Sequence, residues 1–161
     1  MAKLKIVTRG DEILNKKCRE VEEINPRIIR LLDDMRETLT AAGGAGLAAP
    51  QVGVLRKIAI IEYEGETPED SQELIELINP KIIAFSGKQE EAEGCLSNPG
   101  NYSIVRRPAA VTVRAQNRHG EEFEITGHEL LARAICHECD HLDGKLYTDF
   151  ELRKVGKEEL R

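Results

Sequence analysis

The sequence has no apolar run long enough to cross a bilayer, and residues 1–5 lack the hydrophobic core of a signal peptide. An excess of basic residues is also missing, since the net charge is −6 at pH 7 and the pI is near 5.4. This charge argues against nucleic-acid binding through a broad basic surface. The sequence therefore predicts a cytoplasmic protein whose partners are neither membranes nor nucleic acids.

Internal repeats and low-complexity segments are absent as well. The chain has 161 residues and a mass of 18.0 kDa, with 40% hydrophobic and 32% charged residues. This is the size and composition of one globular domain that can bury a core. We expect residues 1–161 to form a single domain.

The four cysteines do not predict a disulfide framework, because a protein without a secretory signal works in a reducing compartment. Cys136 and Cys139 form a C-x-x-C pair, but a zinc ribbon needs a second pair, and haem attachment needs histidine where Asp140 stands. We interpret both as ordinary helix residues. Cys95 stands alone in a loop-like segment, where an inert thiol and a functional one are equally compatible with the pattern.

The order of predicted elements favours an α+β fold. Asn25 and Pro26 are typical of a helix start, an apolar stripe follows, and Gly43 ends the helix. Strands are predicted at 57–63, 74–85 with a break near 79–80, 102–107, 109–115 and 121–125, with a solvated loop at 64–72.

A second helix is predicted to be capped by Thr126 and Gly127 and to end at Gly144. Its Leu130 and Leu131 are expected to face inward. Without regular βαβ alternation, we expect mixed or antiparallel strands packed around this central C-terminal helix, together with the N-terminal helix.

The second helix carries an H-E-x-x-H pattern at residues 137–141. Residues four apart lie on one helix face, so His137 and His141 can offer two imidazole nitrogens to one metal, with Glu138 beside them as a carboxylate base. The pattern alone leaves a solvated or core-packed histidine pair open.

Two other segments are unusual. Residues 43–51 are rich in glycine and alanine, which permits close backbone approach by a ligand, but they lack the Lys-Ser/Thr ending of a phosphate loop. Residues 93–97 read Glu-Gly-Cys-Leu-Ser and contain the solitary Cys95.

Together, the three segments resemble the peptide deformylase family. That family carries G-x-G-x-A-A-x-Q, E-G-C-L-S and H-E-x-D-H in this order, which stand here at 44–51, 93–97 and 137–141. The resemblance implies that Cys95, His137 and His141 are metal ligands and that water takes a fourth position. It also implies a catalytic metallohydrolase that removes the formyl group from the initiator methionine of nascent polypeptides and releases formate.

The residue types suit this chemistry. A formamide is a poor electrophile, and a divalent metal with an open position lowers the pKa of a bound water that can attack it. Glu138 can act as general base and then acid, while the Gln51 side chain and the Leu96 backbone N–H have the family's oxyanion-stabilising role. The resemblance implies Fe²⁺ as the physiological metal, with Zn²⁺, Ni²⁺ or Co²⁺ able to occupy the site.

Nascent formyl-methionyl peptides are the implied partners. The positions that resemble the family's side-chain pocket are Leu130, Arg133 and Ala134, with Ala45, Gly46 and Gly94 opposite; for Leu130, plain core packing is an alternative. Some family members dock on the ribosome through a longer basic C-terminal helix. The tail at 151–161 is short and of mixed charge, so transient ribosome association is left open.

Asp140 is predicted to support the site from outside the ligand set. On a helix it points about 100° away from the His141 face, and a carboxylate on a mostly apolar helix needs a cationic partner. Arg107 is the first choice of partner and Arg106 the second, with a solvated Asp140 as the alternative.

Two other functions compete with deformylation. A zinc peptidase would use Glu158 or Glu159 as the third ligand, which leaves Cys95 and Gln51 without a role. A structural metal that clips the helix to a loop would normally have four protein ligands. The sequence offers three convincing ones, which favours an open, catalytic site.

Overall fold

The computed structural model describes residues 2–63 and 73–160. Two helices and eight strands follow one another along the described chain: α1 Pro26–Ala42, β1 Gly46–Ala48, β2 Ile58–Tyr63, β3 Glu73–Ser86, β4 Gln89–Cys95, β5 Asn98–Arg107, β6 Ala110–Gln116, β7 Glu122–His128, α2 Leu130–Leu142 and β8 Glu151–Lys154. The expected α+β fold is confirmed. The predicted loop at 64–72 lies outside the described residues.

The strands form two antiparallel sheets in the described part of the chain. The larger has the order β1-β2-β3-β6-β7 and the smaller the order β4-β5-β8. Within residues 2–63 and 73–160, neither helix is long and apolar enough to span a membrane.

The larger sheet separates two hydrophobic clusters, one under each helix. Strand β2 shows the period of two that this requires: Ile60 packs in the cluster with Leu32 and Met35 of α1, whereas Ile61 packs in the cluster with Ile135 of α2. Helix α2 also contacts β5 of the smaller sheet. It therefore lies centrally, as the sequence predicts.

Helix α1 begins and ends as expected. The Asn25 side chain accepts a hydrogen bond from the Ile28 amide, Pro26 is the first helical residue, and Gly43 closes the helix with φ 73°. This left-handed conformation costs glycine little, because glycine has no Cβ.

The predicted cap of α2 is wrong. Strand β7 continues through Thr126 and Gly127, which pair with Thr112 and Val111 of β6, and the helix begins at Leu130. The turn is made instead by Glu129, whose φ is 53° and whose amide donates to the Ala109 carbonyl. Ladder hydrogen bonds with β6 outweigh the local capping tendency of Thr126.

The loop-like setting of Cys95 is also a wrong prediction. Cys95 is the last residue of β4 and pairs with Asn98, the first residue of β5, across the two-residue turn of Leu96 and Ser97. Strand β4 was missed because it is rich in glutamate, which has low β propensity, and buries Glu93 instead of an apolar residue. Strand β8, Glu151–Lys154, is not predicted either, because its mixed charges do not form the apolar pattern of a strand.

Candidate metal centre

Cys95, His137 and His141 converge although they come from different parts of the chain. His137 Nε2 lies 3.2 Å from His141 Nε2, which in turn lies 3.3 Å from Cys95 Sγ. The three possible ligand atoms are all within 4.8 Å of one another. Strand β4 brings the thiol, and consecutive turns of α2 bring the two rings. Among the residues described here, this is the one such group found.

The geometry fits a divalent cation. Tetrahedral bonds of about 2.1 Å to nitrogen and 2.3 Å to sulfur separate two ligand atoms by about 3.4–3.6 Å, a few tenths of an ångström more than the 3.2 Å and 3.3 Å found here. The pKa of His141 is lowered, mainly by burial and to a smaller extent by the neighbouring His137. This favours the neutral ring, which has a nitrogen lone pair that can bind a cation. Three protein donors leave a position open.

Glu93 is a site residue to which the sequence analysis assigned no role. Its carboxylate lies 2.5 Å from His137 Nδ1, so Nδ1 donates to Glu93 and Nε2 is the ring nitrogen that faces Cys95 and His141. Arg107 donates to both Glu93 oxygens at 2.6 and 3.1 Å, and Arg133 donates to one of them at 2.7 Å.

Burial alone would raise the pKa of Glu93, but the hydrogen bonds from His137 and Arg107 prevail and lower it to about 2. A buried glutamate needs such partners, because an unpaired carboxylate in the interior is costly. The only signal in the sequence is its place two residues before Cys95.

The ion pair expected for Asp140 is present. Arg107 Nη1 lies 2.5 Å from Asp140 Oδ2, so one guanidinium joins Asp140 of α2 to Glu93 of β4. The second choice, Arg106, points the other way and pairs with Glu90 on the surface at 2.6 Å. Successive side chains of a strand alternate between faces, which explains the division between the two arginines.

Gln51 lies in a single turn of 3-10 helix, Ala49–Val52, and is almost fully buried. Its carbonyl oxygen accepts from the Ala48 amide at 2.9 Å, while its Nε2 donates to Ser97 Oγ at 3.1 Å and to Cys95 Sγ at 3.4 Å. The Ala48 contact orients the amide so that its N–H groups face the thiol. Leu96, which follows the thiol, packs against Gly44.

Glu138 is buried beside the three candidate ligands. Its Oε1 has no hydrogen-bond partner in the described structure, and its Oε2 lies against Gly46, where a Cβ would stand only 2.5 Å away. Gly46 is therefore needed to make room for this carboxylate. Burial raises the pKa of Glu138 to about 7, although His137 opposes the shift. Such a group can take up and release a proton near neutral pH.

A cavity of about 450 Å³ opens onto these groups. It is lined by all six positions expected to form the side-chain pocket: Ala45, Gly46, Gly94, Leu130, Arg133 and Ala134. Leu130 is 70% exposed, so both its inward orientation and the alternative of core packing are wrong. The reason is that α2 starts at this residue, at the rim. The guanidinium of Arg133 is not free, since it binds Glu93.

The rival carboxylate ligands are not brought to this group. Glu159 accepts hydrogen bonds from Arg153 and from the Gly156 amide, in a 3-10 turn after β8. Neither Glu158 nor Glu159 belongs to the Cys95 cluster. The arrangement of a peptidase with a downstream glutamate is therefore not formed in the described residues.

The sequence model of one protein family, polypeptide deformylase, matches residues 3–157. The chain belongs to the polypeptide deformylase family. Members of the family are enzymes, and so is this chain. A peptide deformylase from Acetivibrio thermocellus is 51% identical over 151 residues, which is 94% of this chain and 85% of that protein. One from Caldicellulosiruptor bescii is 48% identical over 160 residues, which is 99% of this chain and 92% of that protein.

Solved deformylase structures have the same fold. A peptide deformylase from Legionella pneumophila superposes with a TM-score of 0.87 at 40% identity, covering 98% of this chain and 89% of that one. A peptide deformylase from Synechococcus elongatus, solved in complex with actinonin, superposes with a TM-score of 0.85 at 35% identity. The match covers 99% of this chain and 83% of that one.

Proposed function

We propose that this enzyme hydrolyses the formamide at the N-terminal methionine of nascent polypeptides, releasing formate and a free amine, with residues 1–161 acting as one catalytic domain. The observation that carries the proposal is the buried carboxylate of Glu138 at the wall of a cavity, next to the group Cys95, His137 and His141. Curated relatives at about 50% identity bear the name peptide deformylase, which supports the reaction class.

Cys95, His137 and His141 would hold one divalent cation. When bound, the cation supplies a Lewis acid that polarises the formyl oxygen and lowers the pKa of a water molecule. The family resemblance makes Fe²⁺ our choice of physiological metal, with Zn²⁺, Ni²⁺ and Co²⁺ as substitutes. Glu93 keeps His137 in the tautomer that such binding needs.

Glu138 moves the proton in this mechanism. Its carboxylate takes a proton from the water that attacks the formyl carbon, and delivers that proton to the amine nitrogen as the C–N bond breaks. The oxygen of the water ends in formate. A pKa raised to about 7 by burial suits a group that must both accept and donate.

Gln51 and Leu96 stabilise the negative charge that develops on the formyl oxygen by donating hydrogen bonds to it. The Gln51 amide is oriented in advance by its bond to Ala48, so its Nε2 can donate to the formyl oxygen by giving up only the long 3.4 Å contact with Cys95 Sγ. The backbone N–H of Leu96, directly after Cys95, is the second donor in the proposal.

The peptide would lie against the edge of the larger sheet. Strand β1 is the edge strand and contains Gly46, so its backbone groups can pair with an extended peptide. The methionine side chain would then enter the cavity beside Leu130 and Ala134, with Ala45 and Gly94 opposite and the stem of Arg133 along the wall. Because the substrates are nascent chains, we propose a cytoplasmic enzyme that associates transiently with ribosomes.

The test is formate release from a formyl-methionyl peptide by anaerobically purified enzyme, with metal analysis of the same sample. The acetylated peptide is the control substrate. E138Q should retain metal and lose about 10²–10⁴-fold in turnover, because the proton acceptor is gone. C95A should lose metal. Turnover by E138Q close to that of the unaltered enzyme would contradict the assigned mechanism, and absence of formate release by the metal-loaded enzyme would contradict the function.

A further inference from the structure

Tyr147 is a buried residue that the proposed reaction does not use. It opens the 3-10 turn Tyr147–Phe150 that follows α2, and only 2% of its surface is exposed. It lies outside the three sequence segments that carry the family resemblance. Its ring nevertheless contacts a candidate ligand, His137, and its hydroxyl contacts the hairpin that carries Cys95.

The ring of Tyr147 stacks on the ring of His137. Their centroids are 5.9 Å apart and their planes differ by 29°. On its Nδ1 side, His137 is held by Glu93 at 2.5 Å. A hydrogen bond leaves the imidazole free to rock about the line that joins the two atoms. A flat surface against its face opposes that motion.

The hydroxyl of Tyr147 holds the hairpin that carries Cys95. Asn98 Nδ2 donates to this oxygen at 2.9 Å, and the hydroxyl donates to the Asn101 carbonyl at 2.9 Å. Asn98 is the residue that pairs with Cys95 across the turn between β4 and β5. The tyrosine therefore reaches the thiol hairpin through one side chain and one backbone carbonyl.

We propose that Tyr147 is a positioning residue of the metal centre, which sets the distance between Cys95 and the histidine pair by supporting His137 with its ring and the Cys95 hairpin with its hydroxyl. The inference rests on the metal centre of the proposed function. Cys95 and His137 belong to separate elements, so a contact that spans both constrains their separation more than a contact within either one. Outer partners of this kind tune metal affinity by about 10–100-fold.

The proposal is tested on cobalt-loaded protein without any substrate. Y147F keeps the ring and removes the hydroxyl, and N98A removes one partner of that hydroxyl from the other side. Each variant should release Co²⁺ to a chelator about 10-fold faster than the unaltered protein and shift the thiolate-to-cobalt absorption band. The release rate of the double variant should rise by less than the product of the two single effects, because both changes break the hydrogen bond between Asn98 and Tyr147.

Y63F is the matched control, since Tyr63 packs at the hydrophobic cluster that contains Ile135, to which none of the three candidate ligands belongs. It should release cobalt at the unaltered rate. Y147L, which also removes the ring, should release cobalt faster than Y147F; equal rates would overturn the role of the ring.

The role of the hydroxyl would be overturned if Y147F and N98A both had the cobalt spectrum and the release rate of Y63F. If Y147F does not fold, N98A alone decides this point. These measurements do not use formate release. A failure of the positioning role is therefore distinguishable from a failure of the proposed function.

Discussion

At the scale of single residues, the site depends on buried charges that satisfy one another. Glu93 accepts hydrogen bonds from Arg107 and Arg133 and contacts His137. Arg107 also forms an ion pair with Asp140. Removing one member of a buried pair leaves the other uncompensated, which costs far more than losing a pair on the surface. The two neighbouring arginines of β5 allow this difference to be measured within one strand.

R107A should lower the free energy of unfolding by about 3–5 kcal/mol, because it leaves the half-buried Asp140 without its cation and the buried Glu93 with only Arg133. R106A is the matched control: its side chain is 55% exposed against 6% for Arg107, and loss of its pair with Glu90 should cost about 1 kcal/mol or less. Urea unfolding measures both values, and R107A should also release metal faster. Equal effects of the two substitutions would refute the role given to Arg107.

Gly46 gives a second prediction at this scale. An added Cβ would meet Glu138 Oε2 at 2.5 Å, so G46A must displace the carboxylate to which we assign the proton transfer in the proposed function. A displacement of about 1 Å at a catalytic group costs about 10²-fold in rate. We expect G46A to lose turnover by this order while remaining folded.

The control for G46A is G156A, because a Cβ at Gly156 would have no neighbour nearer than 3.6 Å. Its formate release should match that of the unaltered enzyme. Turnover of G46A at the control level would show that Glu138 does not need the space beside β1.

At the scale of elements, the longest strand bends at Asn79. The register of β3 against β6 shifts between Ile78 and Lys81, and Asn79 adopts φ 52° inside the strand. Its side chain accepts from the Val21 amide and donates to the Val21 carbonyl, both at 2.8 Å. The bend thus attaches the N-terminal segment to the larger sheet.

N79A should destabilise the protein by about 2–4 kcal/mol, since it loses hydrogen bonds to Val21 and leaves alanine in the left-handed region, which asparagine tolerates better. N79G loses the same hydrogen bonds but tolerates the positive φ. It should therefore be more stable than N79A by about 1 kcal/mol. Thermal or urea unfolding of both variants provides the measurement, and the reverse order of stability would contradict the account.

At the scale of the whole molecule, the fold does not depend on the candidate site for its core. The two clusters on either face of the larger sheet contain most of the buried apolar side chains and none of the three candidate ligands. We therefore expect metal binding to add stability to a protein that is already folded.

Chelation should therefore leave the far-UV circular dichroism spectrum unchanged while lowering the thermal midpoint. The loss corresponds to the binding free energy that the metal contributes, about 4 kcal/mol when its concentration is 1,000 times its Kd. A matched sample of C95A should show the low midpoint with or without added metal. Loss of helical signal on chelation would show that the metal drives folding instead.

The sequence predicts those features that depend on local chemistry. Asn25 and Gly43 bound α1 where expected, and the spacing of His137 and His141 places both on one face of α2. The features it does not predict depend on distant partners. The residue type of Thr126 favours a helix cap, but Thr126 pairs with Thr112 because β6 lies alongside.

The candidate site shows the same limit. The residue types of Cys95, Gln51 and Glu138 indicate the chemistry before any fold is known. The burial of Glu93 in a glutamate-rich strand depends on arginines supplied from β5 and α2, which no local pattern reveals. The exposure of Leu130 likewise depends on where β7 stops.

The separation of the candidate ligands along the chain has a consequence for the protein's own synthesis. Cys95 leaves the ribosome 46 residues before His141, and the smaller sheet gains its third strand only after residue 151 has been made. The thiol hairpin lacks its contacts with the two histidines and Tyr147 until those residues have been made, and β5 has an open edge until β8 follows them. A cation held by all three candidate ligands could therefore bind only after His141 has been made, 46 residues after Cys95.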